Sequence, residues 1–299
     1  MPRTPIYFFS HGGPNIMEDH DHPASIKLRE LGHEITHTVR PKAVLVFSAH
    51  WQASSSPSTG AGVEVNTSAD TPLIYDYYGF PPHYYEFKYP AVGDPELAEN
   101  VLARLRGAGI EAKGVTRGLD HGVFAPFRVA FDPETNPLGV PIVQVSLYEA
   151  EDADMHLRLG KAVEGLRDEG VLIIVSGMAV HNLRELRVAM AKGKGFSMPY
   201  ARTFDDALRD AVEIEVRGYE MLCGRHVAEM KQDPQDRWSA MIALLKLPDA
   251  RHAHPTFEHL LPIHVGVGAA GNDLGKQLWT MPQWSMAWAQ YRFGDVSVA

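Results

Sequence analysis

The stretch VLVFSAHW, residues 44–51, begins with a continuous apolar run and then reaches Ser, Ala and His. A short continuous apolar run is typical of a strand that is buried on both faces of a parallel sheet. The stretch IYFFSHGGP, residues 6–14, repeats the pattern. We predict that residues 6–10 and 43–49 are buried parallel strands. Each should bring a histidine, His11 or His50, to the edge of the sheet where the strand ends.

The rest of the chain alternates strand-like and helix-like patterns. Further strands are predicted at residues 62–67, 110–115, 140–148, 171–182 and 284–294, and helices at residues 25–39, 94–107, 155–169, 196–222, 237–245 and 254–270. Residues 52–90 are rich in Ser, Thr, Gly, Pro and Tyr, which predicts a long loop. Long ordered loops tend to carry functional residues. We see no repeat or linker, so we predict one α/β domain over residues 1–299, with a central, mostly parallel or mixed sheet flanked by helices.

Charge and cysteine content narrow the class of partner and the compartment. A formal charge of −9 without a basic block argues against nucleic acid or an anionic membrane as the main partner. The single cysteine, Cys223, cannot form an internal disulfide or a thiolate metal cluster, which fits a reducing cytosol. The start MPRTPIYFF does not resemble a signal peptide, and no apolar run approaches the roughly 20 residues of a membrane span. We therefore expect a cytoplasmic protein.

Five histidines occupy positions where an active site is expected. Ligand sites in open α/β sheets gather beyond the carboxyl ends of the strands. By the predicted strand ends, His11, His50 and His181 lie there. His121 lies in GLDHGVFAP, a loop that enters a helix or turn, and His259 lies in HPTFEHLLP. We expect these five side chains to converge.

Other polar and aromatic residues have less specific contexts. Solvated surface is expected for a further group of histidines, which are His20, His22, His33, His37, His83, His156, His226 and His252. A solvated helix face is expected for the carboxylates Asp205, Asp206, Asp210, Glu213 and Glu215. The aromatic stretch YYGFPPHYYEF, residues 77–87, fits either packed loop aromatics or the wall of a pocket.

The chemistry of imidazole makes a metal centre the natural interpretation of the five histidines. Imidazole suits Zn(II) and Fe(II) alike, and a catalytic site takes three protein ligands while leaving positions open for substrate and water. The chain can supply three ligands and still keep a histidine that moves protons, because the ordinary histidine pKa is close to neutrality.

The ordered motifs SHGGP, SAHW, GLDHG, VHNLR and HPTFEHLLP resemble those of a known family over nearly the whole chain. The family is that of the LigB-type (class III) extradiol ring-cleavage dioxygenases, and the branch that contains 4,5-DOPA dioxygenases is the most similar. The resemblance implies that His11, His50 and His259 bind the metal. It also implies that His181 is the acid/base histidine and that His121 contacts substrate or oxygen.

The resemblance also implies a reaction. The ring of a catechol, DOPA-like, is opened with O2 at a mononuclear non-haem Fe(II), which gives a muconic semialdehyde; Zn(II) can occupy the same ligands but has no redox chemistry. Candidate partners for a substrate carboxylate are Arg117 and Arg184, and Tyr75, Tyr77 and Tyr78 are candidate pocket walls.

Two questions stay open on the sequence. Class III enzymes more widely use two His and one Glu, so Glu258 rivals His259 as the third ligand. Adjacent side chains on a helix point about 100° apart, so only one of them should face the metal, and we favour His259. The alternative functions are a zinc-dependent hydrolase, which the absence of HExxH disfavours, and a non-enzymatic metal-binding protein on the same fold, which the presence of His121 and His181 disfavours.

Overall fold

The structure is a computed structural model, and it describes residues 2–53, 62–214 and 234–296. Its strands form one large sheet and two small ones. In chain order the strands are β1 (Ile6–Ser10), β2 (Ala43–Gln52), β3 (Gly62–Asn66), β4 (Leu73–Ile74), β5 (Glu111–Val115), β6 (Leu119–Asp120), β7 (Ile142–Leu147), β8 (Val171–Gly177), β9 (Val180–His181), β10 (Gly275–Trp279), β11 (Pro282–Gln283), β12 (Met286–Ala287) and β13 (Gln290–Phe293).

Helices connect these strands. In chain order they are α1 (Pro23–Glu34), α2 (Pro95–Gly107), α3 (His121–Ala130), α4 (Ala153–Val163), α5 (Leu183–Met190), α6 (Pro199–Val212), α7 (Pro234–Leu244), α8 (Ala250–Ala253) and α9 (Leu261–Ala270). Shorter helical turns cover Pro14–Met17, Ile35–Val39, Pro82–Tyr85 and Glu164–Glu169. No helix in the described part of the chain has the length and apolar character that crossing a membrane requires.

The large sheet has eight strands in the order β10-β13-β1-β8-β2-β7-β3-β5. The four central strands β1, β8, β2 and β7 are parallel, as their continuous apolar runs predict. At one edge β13 runs antiparallel to β1, and at the other β3 runs antiparallel to β7. The prediction of an α/β fold with a central, mostly parallel or mixed sheet is therefore confirmed.

Alternate residues of the central strands belong to two apolar clusters, one on each face of the sheet. Phe8 and Phe47 pack with residues of α2, α4, α6, α7 and α9, whereas Phe9 and Val46 pack with residues of α1 and α3. All four of these side chains are fully buried. A strand with both faces covered leaves only its ends for polar chemistry, so functional side chains must come from the strand ends and the loops that follow them.

Two predicted strand ends are wrong. The predicted strand 43–49 continues through His50 to Gln52, because an irregularity in register between Phe47 and Gln52 lets Gln52 pair with Leu147. The predicted strand 171–182 divides after Gly177, where a Cβ atom would lie 2.2 Å from the carbonyl oxygen of His259. The chain turns at this close approach, and His181 lies in β9, which pairs with β12 in a separate three-stranded sheet.

Several predicted helix bounds also need correction. The predicted helix 254–270 begins only at Leu261, with Pro262 in its first turn, so Glu258 and His259 precede the helix. The predicted helix 25–39 ends as an α-helix at Glu34 and continues as a π-helical turn. The predicted helix 155–169 changes to a 3₁₀ turn after Val163. The predicted helix 196–222 begins only at Pro199 and ends at Val212. Glu215, Cys223 and His226 lie outside the described residues.

The surface predictions hold in part. Exposed histidines are His20, His33, His37, His83 and His252, whereas His22 is half-buried. The prediction is wrong for His156, which is fully buried because its face of α4 packs against α9; its Nδ1 contacts the Asp152 carbonyl at 2.7 Å. It is also wrong for Asp205, which is 2% exposed and accepts hydrogen bonds from Thr280 (2.6 Å) and Gln277 (3.2 Å). Asp210, by contrast, is exposed.

Candidate metal centre

The five histidines singled out in the sequence converge at one end of the large sheet. They come from five different elements: His11 directly follows β1, His50 lies in β2, His121 begins α3, His181 ends β9, and His259 precedes α9. The His11 ring centroid lies 5.0 Å from that of His50, 5.3 Å from that of His259 and 6.0 Å from that of His121. The convergence predicted from the strand ends is thus present in the structure.

Three ring nitrogens lie close enough together to share one cation. The Nε2 atom of His50 lies 3.2 Å from Nε2 of His11 and 3.2 Å from Nε2 of His259, and all three ligand atoms lie within 4.8 Å of one another. Nitrogen ligands at about 2.0–2.1 Å from a common metal lie roughly 3–3.4 Å apart. The spacing and the donor set therefore fit a divalent transition metal.

Hydrogen bonds on the opposite ring nitrogens of His11 and His259 favour the same tautomer. The Ser176 hydroxyl donates to the Gly122 carbonyl, so its oxygen accepts from His11 Nδ1 at 3.0 Å. The Glu258 carboxylate can only accept, and it lies 3.0 Å from His259 Nδ1. A proton on Nδ1 leaves the Nε2 lone pair of each ring free for a metal.

Glu258 thus contacts the side of the His259 ring that faces away from His11 and His50. The cluster that includes Glu258 is a different one, formed with His181 and His259. Because these residues precede α9, the helical 100° argument does not apply to them. Instead, the Glu258 carboxylate is bonded to Nδ1 of His259, whereas Nε2 of the same ring faces His50.

The remaining two histidines flank the cluster. The His181 ring stacks on that of His259, with centroids 3.6 Å apart and planes 14° from parallel. The His121 ring lies 3.9 Å from that of His50 between centroids. His121 Nδ1 donates to Asp76 Oδ1 at 2.8 Å, and its backbone N–H donates to the same oxygen at 2.9 Å.

Burial keeps most of these rings neutral. Desolvation, followed by the neighbouring histidines, holds the pKa of His11 and that of His259 well below the usual range. Desolvation, followed by His259, does the same to the pKa of His181. Desolvation also lowers the pKa of His121, although the hydrogen bond to Asp76 opposes the shift. Neutral imidazole is both the metal-binding form and the proton-accepting form.

Asp76 is a site residue that the sequence patterns did not single out. Its Oδ2 lies 3.2 Å from His50 Nδ1, while its Oδ1 accepts from His121. Burial alone would raise the pKa of the Asp76 carboxyl, but the contacts with His121 and His50 lower it. Asp76 reaches this position because β4 pairs with β6, directly before His121. The only signal in the sequence was its location in the loop predicted to be functional.

The candidate substrate contacts differ in their surroundings. Arg117 donates to Asp120 at 3.0 Å and to the His50 carbonyl at 3.4 Å, with its guanidinium 4.4 Å from the centroid of the Trp51 ring. The Arg117 guanidinium is thus already bound to protein groups next to the backbone of His50. Arg184 is exposed. The Tyr77 ring lies 5.4 Å from that of His121.

The aromatic stretch in which Tyr77 lies packs on itself, which was one of the two alternatives, and one of its rings lies beside a site histidine. Its rings pack on one another, as Tyr77 does on Phe80 and Tyr85, and Tyr77 reaches the histidines. The hydroxyl of Tyr75 donates to the Phe87 carbonyl, and Tyr78 is 90% exposed. Of the three tyrosines proposed as pocket walls, Tyr77 is therefore the one that contacts a site histidine.

Comparison with known proteins gives matches along nearly the whole chain. Residues 3–292 match the family described as the catalytic LigB subunit of aromatic ring-opening dioxygenase. The chain is 35% identical over 296 residues to the 4,5-DOPA dioxygenase extradiol of Beta vulgaris, covering 96% of this chain and 95% of the relative. It is 34% identical over 294 residues to dioxygenase tasH of Hapsidospora irregularis, covering 91% and 80%.

A solved structure has the same fold. The crystal structure of an uncharacterized protein from Escherichia coli K12 superposes with a TM-score of 0.71 at 24% identity, covering 98% of this chain and 100% of the other. At this identity the likeness supports the fold and carries no argument about the reaction.

Proposed function

The chain belongs to the LigB family of aromatic ring-opening dioxygenases and is an extradiol dioxygenase, and from this membership we propose that it opens the ring of a catechol with O2 at a mononuclear non-haem Fe(II). The observation that carries the proposal is the triangle of Nε2 atoms of His11, His50 and His259. The name of the Beta vulgaris relative, 4,5-DOPA dioxygenase extradiol, supports a DOPA-like catechol as substrate, for which the product is a muconic semialdehyde.

We assign the metal to His11, His50 and His259, with Glu258 as the partner of His259 Nδ1. Fe(II), when bound, supplies the electron transfer between an aromatic diol and O2, and it makes coordinated hydroxyl groups more acidic. Zn(II) fits the same three nitrogens but supplies no redox chemistry, so a zinc-loaded sample is an inactive control.

His181 is proposed to accept the proton of a catechol hydroxyl. Its lowered pKa keeps the ring neutral, and therefore able to accept, at neutral pH. In residues 2–53, 62–214 and 234–296 no group is hydrogen-bonded to either of its ring nitrogens. The stack on His259 fixes the plane of the ring next to a proposed metal ligand.

His121 is proposed to contact the substrate or oxygen through Nε2. The bond from its Nδ1 to Asp76 directs the proton to Nδ1 and leaves Nε2 as an acceptor. The Tyr77 ring packs edge-on beside the His121 ring, with centroids 5.4 Å apart. The proposed catalytic unit is a single domain over residues 1–299, and its proposed partners are a small catechol and O2 rather than nucleic acid or a membrane. The single cysteine supports a cytoplasmic location.

The test is anaerobic reconstitution with Fe(II), followed by addition of O2 and a panel of catechols. We expect O2 uptake together with a yellow ring-opened product for at least one catechol. Zn(II)-loaded protein should give neither signal. A hydrolase or a binding protein would consume no O2, so the absence of uptake across the panel contradicts the proposal.

A further inference from the structure

We propose that Asp76 is a positioning residue that sets the tautomers of His50 and His121 together, so that each presents an unprotonated Nε2 to the site. This inference rests on the proposed metal centre. It assigns a role to a residue that touches neither the three converging Nε2 atoms nor His181.

The three contacts of the Asp76 side chain divide unequally between its two oxygens. Oδ1 accepts two hydrogen bonds from His121, one from the backbone N–H at 2.9 Å and one from Nδ1 at 2.8 Å. Oδ2 lies 3.2 Å from Nδ1 of His50. A carboxylate is acceptor-only on both oxygens, so it favours a proton on Nδ1 of both histidines at once.

A carboxamide at this position cannot do the same. The backbone N–H of His121 is an obligatory donor, so the amide oxygen of Asp76→Asn must stay on the His121 side. The NH2 group then faces Nδ1 of His50, where two donors would meet. The conflict is relieved when His50 moves its proton from Nδ1 to Nε2, which removes the lone pair that faces His11 and His259.

The chain offers a matched comparison in Glu258. Its carboxylate also accepts from Nδ1 of a proposed ligand, His259, at 3.0 Å, and in the described part of the chain that ring nitrogen is its one hydrogen-bond partner. In Glu258→Gln the amide is free to turn its oxygen to His259 Nδ1. The two variants therefore make the same chemical change, carboxylate to carboxamide, with opposite consequences for the tautomer of the ligand.

The first experiment measures Zn(II) affinity by chelator competition, which does not depend on ring cleavage. We expect the Kd for Zn(II) to rise about 10- to 100-fold in Asp76→Asn, the usual scale for partners of metal-ligating histidines, and by less than about 3-fold in Glu258→Gln. An unchanged Kd in Asp76→Asn overturns the inference. Equal losses in both variants overturn it as well, because loss of charge would then be the cause.

A truncation separates a wrong tautomer from a missing partner. Asp76 is half-buried, and in Asp76→Ala water can accept from Nδ1 of both histidines. We expect its Zn(II) Kd to lie between those of the wild type and Asp76→Asn. An Asp76→Ala protein that binds Zn(II) more weakly than Asp76→Asn contradicts the tautomer argument.

A measurement on the wild type keeps the inference testable if the variants do not fold. Long-range ¹H–¹⁵N NMR of the Zn(II)-loaded protein reads the protonated nitrogen of each histidine. We expect His121 to carry its proton on Nδ1; a proton on Nε2 overturns the inference. If wild-type protein binds no Zn(II), the proposed centre itself fails, which is a different outcome from tight binding that Asp76→Asn leaves unchanged.

Discussion

His181 lies stacked on His259, with ring centroids 3.6 Å apart and planes 14° from parallel. The proposed proton acceptor therefore contacts the face of a proposed metal ligand without being part of the Nε2 triangle. This arrangement separates two roles that substitution can distinguish. Removal of His181 should leave the three nitrogens in place, whereas removal of a triangle member should not.

The first prediction is that His181→Ala retains its metal and loses its activity. We expect Zn(II) or Fe(II) content equal to that of the wild type, while kcat for O2 uptake falls roughly 10²- to 10⁴-fold, the usual scale for a lost general acid–base group. Metal analysis and an oxygen electrode measure the two quantities. The exposed His20→Ala is the control and should match the wild type in both. Full activity of His181→Ala would remove the assigned role.

The second prediction concerns His50, whose Nε2 is the shared neighbour of the other two nitrogens. His50→Ala should lose Zn(II) and with it the stabilisation that a bound ligand gives. At a Zn(II) concentration 100 times the Kd, this stabilisation is about 2.7 kcal/mol for the wild type. Denaturation with and without Zn(II) measures it, and EDTA should reverse it. Equal stabilisation of His50→Ala by Zn(II) would show that the ion binds elsewhere.

The sequence was sufficient to predict the features that depend on local pattern. The apolar runs of β1, β2 and β8 predicted a parallel central sheet. The carboxyl ends of parallel strands lie at the same edge of a sheet. The expectation that His11 and His50 meet rested on that geometry. The same argument placed His181 correctly although its predicted strand divides, whereas His121 and His259 were predicted in loops and were included only by the hypothesis that all five converge.

The features that were missed depend on distant contacts. Asp76 reaches His121 only because two-residue strands, β4 and β6, pair across the loop. After Gly177 the backbone N–H of Met178 donates to the carbonyl of His259, at 2.9 Å, instead of to a neighbouring strand. The burial of Asp205 requires Thr280 and Gln277 from the far end of the chain. The helical and strand periodicities of the sequence carry no information about such contacts between distant residues.

The third prediction concerns the close approach of the Trp288 ring to Gly12, the residue after His11. Gly12 has φ +63°, and a Cβ there would lie 2.0 Å from the Trp288 ring. We expect Gly12→Ala to lower the free energy of unfolding by about 3 kcal/mol, from left-handed backbone strain and overpacking together. It should also weaken Zn(II) binding, because His11 is the adjacent residue. Urea denaturation of the metal-free protein and chelator competition measure the two effects.

Gly79 is the matched control for Gly12. It has φ +78° with nothing within 4 Å of the position that an added methyl group would take, so Gly79→Ala meets only the backbone strain. We expect a loss of about 1 kcal/mol and an unchanged Zn(II) affinity. If both variants lose the same stability, the contact with Trp288 contributes nothing and the argument about Gly12 is wrong.

The fourth prediction is a pH dependence of stability that arises at Asp205, away from the histidines. Burial raises the pKa of the Asp205 carboxyl from 3.8 to about 6. The folded protein therefore binds a proton that the unfolded chain releases, between pH 4 and pH 6. The stabilisation that this bound proton gives the folded protein is fully present below pH 4 and is lost as pH rises through 6. The free energy of unfolding falls by about 3 kcal/mol in total from this group.

Asp205→Asn tests this contribution, because the variant lacks the buried titrating carboxyl and keeps all other titratable groups. The free energy of unfolding of Asp205→Asn minus that of the wild type should rise by about 3 kcal/mol between pH 4 and pH 7, since only the wild type must bury an ionised carboxylate at the higher pH. Urea denaturation across this range measures the difference. Asp210→Asn is the surface control: its side chain is 71% exposed in the wild type and is paired with Arg209, and an exposed pair contributes at most about 1 kcal/mol. A flat difference for Asp205→Asn would mean that the carboxylate is as well solvated in the folded protein as in the unfolded chain.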